Sequence, residues 1–399
     1  MESLRIAHIV PFFSGGVGNV SLNLTKAFTS LGHEVILLSP EKPPKDLEIT
    51  KYYKLKDVRI KDPLYSLTFR FHNQEIIEEV VAVENPDVII THGPLIIALS
   101  RVSGTPIISV IHGTYANEVR YMRYHPMFGF DRVRYMTSIY TTFKFDMALY
   151  SHMTRRHKNL YLVAVSRNTK RELVDAGVPS HRVFSILNGV DKDLFKPMNK
   201  DYAKTSVEEV FRIRLKDKVL LHVNPGPIKG THTLIKALAI VKKVYGEDIT
   251  LIVAGRMGSK SYREYVEAMV KNLGLENNVS FLGYVQQDKL PLLYNAADLT
   301  LVPSYSEGAP LVIPESLACG TPVVATNVGG NPEYLSLAGL EKYIVHVINY
   351  DFSHNLTKAI FLALQESRRV LTESILSWYA VARSYLNIMN QIDDVIADV

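Results

Sequence analysis

The stretch Arg5-Ile6-Ala7-His8-Ile9-Val10-Pro11-Phe12 is a short apolar run of strand type, and the glycine-rich turn Ser14-Gly15-Gly16-Val17-Gly18 follows it. Val20 to Leu31 then carries helical spacing, Gly32 closes it, and a second apolar run spans Glu34 to Ser39. This is a β-loop-α-β unit, and the pattern recurs. Strand candidates follow at Asp87 to Thr91, Pro106 to His112, Tyr161 to Ser166 and Val183 to Leu187. Near-continuous apolar strands separated by helical segments predict a parallel sheet buried on both faces.

The alternation breaks near Phe195-Lys196-Pro197 into a polar, charge-rich stretch through Lys218 and then restarts. Further strands are expected at Val219 to Val223, Thr250 to Ala254, Val279 to Leu282, Leu299 to Val302 and Pro322 to Ala325. Helices are expected at Thr231 to Tyr245, Tyr262 to Leu273, Leu290 to Ala297 and Leu311 to Cys319. The fold class is therefore α/β, with two doubly wound Rossmann-like domains. Ligands of such sheets bind beyond the carboxyl ends of the strands, so two facing domains would hold a ligand in the cleft between them. The division expected is residues 1–198 and 199–373, with a C-terminal helix, 374–399, returning to the first domain.

Composition excludes several classes. The chain has 399 residues, is 47% hydrophobic and 21% charged, and carries a formal charge of +5. That is ordinary for a globular protein and excludes disorder. No uncharged apolar stretch reaches the ~18 residues that would cross a bilayer. Glu2, Arg5 and His8 interrupt what would be a signal peptide's apolar core. The lone cysteine, Cys319, excludes an internal disulfide framework. A cytoplasmic location is expected, with the cytoplasmic face of the membrane as a docking place.

The densest chemical signal runs from Pro303-Ser304-Tyr305-Ser306-Glu307-Gly308-Ala309-Pro310-Leu311 through Val312-Ile313-Pro314-Glu315 to Gly320-Thr321-Pro322. A strand ends near Pro303, and a helix is expected to begin at Pro310, where the missing N–H is tolerated. Backbone amides from about Gly308 to Val312 would then face a diphosphate. Glu315, one turn on, suits a vicinal diol such as a ribose.

This segment resembles the E-x7-E region of retaining GT-B glycosyltransferases of the GT4, or group 1, family. Gly15-Gly16, His112, Ala164-Val165-Ser166 with Thr169, Asn188-Gly189-Val190-Asp191, Phe281-Leu282-Gly283, Gly320-Thr321-Pro322 and Gly329-Gly330 with Glu333 follow in family order. The resemblance implies a C-terminal domain that holds a UDP- or GDP-linked hexose donor and an N-terminal domain that holds a hydroxyl acceptor, such as a lipid-linked glycan or a small molecule. It implies catalytic roles for His112, Glu307 and Lys229 and donor contacts from Gly15, Gly16, Gly308, Ala309, Leu311, Val312 and Glu315. Tyr284 is placed near the base by position alone. The family's arginine about five residues before the lysine is replaced here by the region of Asn224, and Arg256 is the candidate substitute.

Other readings stay open. A GT-B phosphorylase, a nucleotide-sugar epimerase, or a non-catalytic nucleotide or nucleic-acid binding protein would share parts of the pattern. Gly16-x-Gly18 lacks the third glycine of a dinucleotide fingerprint, so no NAD is expected. Asp191-Lys192-Asp193 spells a D-x-D but reads as a solvated turn, so no metal or other cofactor is expected. Between Tyr115 and Lys158, Arg120, Arg123, Arg132, Arg134, Lys144, Arg155 and Arg156 alternate with aromatic residues. Two readings fit this stretch: a packed helical insertion, or an acceptor-side surface that meets anionic membrane. Arg120 and Arg123 are its acceptor-side candidates.

Overall fold

The computed structural model describes residues 3–58, 65–124, 126, 129–347, 352–366, 370 and 373–397. The chain divides into two compact units. The first comprises Met1–Val119, Val133–Gly189 and Leu376–Val399; the second comprises Arg120–Arg132 and Val190–Ile375.

The first unit is built on seven strands: β1 (Arg5–Ile9), β2 (Glu34–Ser39), β3 (Lys51–Lys54), β4 (Val88–His92), β5 (Ile107–Ile111), β6 (Leu160–Ala164) and β7 (Val183–Ser185). They pair in the order β3-β2-β1-β4-β5-β6-β7, every pair parallel. Strands β4 and β5 are buried at every position, as expected of a sheet covered on both faces. The order reverses between β1 and β4, which defines the switch point of this sheet. Strand β3, Lys-Tyr-Tyr-Lys, carries no apolar run, and sequence reading missed it. Its lysines suit an edge, where charge discourages pairing with another chain.

The glycine-rich turn is a correction. The helix expected from Val20 begins at Gly15 and runs to Ser30, so Gly15 to Gly18 form its first turn. Packing overrides the low helix propensity of glycine here. A side chain on Gly18 would bring its Cβ within 2.5 Å of the Phe13 carbonyl carbon, so only glycine lets the helix start so close to the strand exit. The helix Trp378–Ala397 lies in this unit, with Tyr385 edge-on to Phe28 at 6.3 Å between ring centres. Among the described residues no helix is long and apolar enough to cross a membrane.

The second unit carries β8 (Lys218–Val223), β9 (Ile249–Ala254), β10 (Val279–Gly283), β11 (Leu299–Val302), β12 (Val323–Thr326) and β13 (Ile344–Val345). These also pair in parallel, in the order β10-β9-β8-β11-β12-β13, and reverse between β8 and β11. Both units are thus α/β with one parallel sheet each.

Candidate active site

At the switch point of the second sheet, the loops that leave β8 and β11 meet. The β8 loop is braced from below by His222, which sits 3.0 Å from the Leu301 carbonyl through Nδ1 and 2.9 Å from the Thr231 hydroxyl through Nε2. Because a carbonyl only accepts, Nδ1 carries the proton and Nε2 accepts from Thr231. Burial pulls this imidazole down to about 4, so it stays neutral. The Gly226 amide donates to the same threonine oxygen, 2.9 Å away. Gly230 has φ +70°, and a Cβ there would overlap the Pro303 carbonyl oxygen. Glycine at 230 is therefore what lets Lys229 approach the β11 loop.

Lys229 Nζ lies 2.8 Å from both carboxylate oxygens of Glu307. The Ser304 hydroxyl donates to Oε1 of the same glutamate at 2.7 Å. The Tyr305 amide donates to the Ile228 carbonyl at 2.8 Å and ties the two loops together. The Glu307 side chain is 8% exposed against 32% for Lys229, so the carboxylate is the group that depends on its partner. The loop is held from the other side by Gly330, whose amide donates to the Gly308 carbonyl at 2.6 Å. A Cβ on Gly329 would overlap the Glu307 carbonyl oxygen, which explains the Gly329-Gly330 pair.

The following helix spans Val312–Ala318 and not Leu311–Cys319. Pro310 therefore lies before the helix, a second correction, because Leu311 is the residue whose carbonyl accepts the first helical bond, from Glu315. Pro314 falls in the first turn, where its missing N–H has no intrahelical partner to lose. Glu315 is not on an open rim. It is 7% exposed, and the phenol of the buried Tyr294 donates to it at 2.8 Å. Burial pushes the Glu315 carboxyl up to about 8, and the tyrosine bond opposes this only in part.

Arg256 follows β9, and its guanidinium sits 5.4 Å from the ring centre of Tyr284, which follows β10 and is 67% exposed. Its loop packs on the β8 loop: the ideal Cβ of Gly255 would meet Pro225 Cδ at 2.8 Å. Gly308 and Ala309 lie in the β11 loop, with Leu311 and Val312 at the helix start.

His112 belongs to the first unit, directly after β5. Gly15 and Gly16 lie there too, exposed and with no neighbour within 4 Å of an ideal Cβ. Arg120 is exposed, and the side chain of Arg123 is outside the described residues. The basic aromatic stretch divides. Tyr121 and Tyr124 stand 6.3 Å from the ring of Tyr305, within the second unit. Tyr135 donates to Glu118, and Phe143 and Phe145 pack on the first unit's core. Phe128 lies outside the described residues. Asp191 uses its carboxylate to accept the amides of Asp193 and Leu194, as a turn residue does. Among the described residues no three His, Cys, Asp or Glu side chains are grouped to hold a metal ion.

Two family models match, in chain order. Glycosyltransferase Family 4 covers residues 14–194, and Glycosyl transferases group 1 covers residues 204–373. The chain belongs to this glycosyltransferase family. A D-inositol 3-phosphate glycosyltransferase of Salinispora tropica is 34% identical over 178 residues, 42% of this chain and 37% of that protein. The match thus spans about two fifths of that relative's length. Among solved structures, the sucrose-phosphate synthase of Thermosynechococcus elongatus aligns over 98% of this chain and 100% of its own, with a TM-score of 0.75 and 19% identity. Anabaena HepE, solved in complex with UDP and glucose, aligns over 99% and 100%, with a TM-score of 0.69 and 19% identity. These neighbours share the GT-B fold of two Rossmann-like domains. Tyr294 against Glu315, Ser304 on Glu307 and Gly230 beside Pro303 are parts of this arrangement to which the sequence assigned no role. The glycine directly after Lys229 was the available signal for one of them.

Proposed function

We propose that this chain transfers a hexose, with retention, from a UDP- or GDP-linked donor to a hydroxyl acceptor without a bound metal. The observation that carries the reading is the cluster at the β8/β11 switch point: Lys229 against Glu307, Ser304 behind it, and buried Glu315 on the next helix. In this reading Glu315 accepts the ribose diol, Lys229 and Arg256 offset the negative charge that grows on the departing diphosphate, and amides from Gly308 to Val312 add to them. Glu307 then orients the transferred sugar. The acceptor attacks on the face the diphosphate leaves and passes its proton to the leaving phosphate, so no protein nucleophile is required. The second unit is the donor domain, the first the acceptor domain, and His112 receives a sugar hydroxyl. HepE's complex with UDP and glucose and the relative named for an inositol phosphate support a nucleotide-sugar donor and a hydroxyl acceptor.

Thermal shift across a panel of nucleotide sugars tests this first, since a ligand at one hundred times its Kd stabilises by about 2.7 kcal/mol. A shift with one nucleotide sugar, followed by transfer to an acceptor and loss of transfer in Glu307→Gln, is the expected result. Turnover of the donor to an epimer without acceptor, or full activity of Glu307→Gln, would defeat the reading. The helix Gly129–Arg156 leaves Arg134, Tyr140, Lys144, Arg155 and Arg156 exposed, and we assign it contact with anionic membrane. Equal recovery in the supernatant with neutral and anionic vesicles would count against that contact.

A further inference from the structure

The switch point of the first sheet holds three histidines in an unbroken line. His112 Nε2 lies 2.8 Å from His92 Nδ1, and His92 Nε2 lies 2.9 Å from His8 Nε2. His8 ends the line, with Nδ1 2.9 Å from the Thr25 hydroxyl, and His92 Nε2 is also 3.0 Å from the Ser21 hydroxyl. His8 comes from β1, His92 is the last residue of β4, and His112 follows β5. Ser21 and Thr25 face them from the helix Gly15–Ser30.

Burial holds His8 at about 3 and His112 at about 4 and keeps His92 well below its ordinary value, so all three rings are neutral at pH 7. A neutral imidazole has one N–H donor and one acceptor nitrogen. Three in a line therefore have two arrangements only: every proton points one way, or every proton points the other.

The helix hydroxyls choose between them. Thr25 donates its proton to the Ser21 carbonyl at 2.9 Å, and Ser21 donates its own to the Val17 carbonyl at 2.9 Å. Both hydroxyl oxygens are thereby acceptors toward the imidazoles. His8 then carries its proton on Nδ1, toward Thr25, and its Nε2 accepts from His92 Nε2–H. His92 Nδ1 is left as an acceptor, so His112 must donate from Nε2. What remains at the open end is His112 Nδ1, a lone pair on a partly exposed ring with no hydrogen-bond partner among the described residues.

We propose that His92, backed by His8, is a positioning residue that holds His112 as its Nε2–H tautomer, so that Nδ1 accepts a hydrogen bond from a substrate hydroxyl. The substrate part of this rests on the glycosyltransferase reading above; the tautomer does not. A group that only accepts, such as a fluorine in place of that hydroxyl, would find no donor at this nitrogen.

The test is long-range proton–nitrogen correlation NMR on the full chain, ligand-free at pH 7, with 15N-labelled histidine. The His112 signals are identified by their loss in His112→Asn. An unprotonated Nδ1 and a protonated Nε2 are expected, and a protonated Nδ1 in the wild-type protein overturns the proposal without any further variant. His92→Phe removes the acceptor and should leave His112 as a mixture of tautomers, whereas the amide oxygen of His92→Asn should keep the order. An unchanged His112 in His92→Phe would also overturn it. Where His92→Phe fails to fold, Thr25→Val removes the terminal acceptor from the far end, and the same mixture is expected. Given a working assay, kcat/KM should fall about tenfold in His92→Phe and recover toward wild type in His92→Asn, the scale of one neutral hydrogen bond. A normal tautomer with unchanged kinetics would remove His112 from the sugar while leaving the proton order intact.

Discussion

The two sheets share a strand plan, yet their switch points hold opposite chemistry. In the first sheet three neutral imidazoles are stacked behind one another, two of them fully enclosed. In the second, an ammonium and a carboxylate meet at 2.8 Å, and a second carboxyl nearby is buried against a phenol. The difference shows what each address can do. Neutral rings in a line set proton direction at no charge cost, while charged groups at loop tips can respond to charge that develops on a ligand. A helix N-terminus and the carboxyl ends of central parallel strands offer similar backbone at both places, so it is the side chains that separate the roles.

The comparison breaks most easily at Lys229. If the charged switch point carries the leaving-group chemistry, Lys229→Ala should lower kcat by roughly 10²–10³-fold, the scale for one electrostatic contact made in the transition state. Steady-state kinetics with saturating donor would show this, and a loss confined to KM would instead mean uniform binding. The same substitution strips a buried carboxylate of its partner, so Glu307 should also cost the fold stability, seen as a lower Tm.

Arg256 sharpens the boundary of that charged region. Its guanidinium rests on Tyr284, one strand out from the Lys229 loop. Arg256→Ala should weaken catalysis by roughly ten- to hundredfold, in line with charge-assisted hydrogen bonds of about 1.5–3 kcal/mol. Unchanged donor kinetics would confine the diphosphate chemistry to Lys229 and the loop amides.

The smallest expected effect is a pH dependence above neutrality, where Glu315 titrates and the buried histidines of both sheets are neutral in the folded and the unfolded chain alike. Glu315 has its folded pKa raised to about 8 by burial, above the ordinary carboxylate value. A raised carboxyl favours the fold below the unfolded value and loses that contribution as pH climbs through about 8. The ligand-free protein should therefore melt at a lower temperature at pH 9 than at pH 7.5, and Glu315→Gln should flatten that difference. Nucleotide binding should run the other way, tightening from pH 6 to pH 8 with release of a proton, because a ribose diol donates to the ionised form. Calorimetry in buffers of different ionisation enthalpy reads the proton directly. Affinity independent of pH would take Glu315 out of ribose contact.

Parts of this were legible in the linear chain. Apolar runs of four to six residues at Glu34 to Ser39 and Leu299 to Val302 mark strands whose bounds the structure reproduces, because fully buried parallel strands have no polar face to confuse the pattern. Strand β3 was invisible because an edge strand needs only one covered face and here carries lysines at both ends. The start of the helix at Gly15 was misplaced because propensity counts glycine against a helix, whereas the close approach of Phe13 demands it.

For the site, sequence alone determined the residue types and their order: Lys229 before a glycine, Glu307 and Glu315 eight apart, His112 at the end of an apolar strand. Those are local facts, carried by turn chemistry and by short-range spacing. Only the tertiary structure decided that Lys229 is paired with Glu307 across 78 residues of chain, that Tyr294 encloses Glu315, and that His8 and His92 stand behind His112. Ion pairing, burial and proton order depend on which loops the sheet brings side by side, and strand order in a parallel sheet is set by crossovers far longer than any motif.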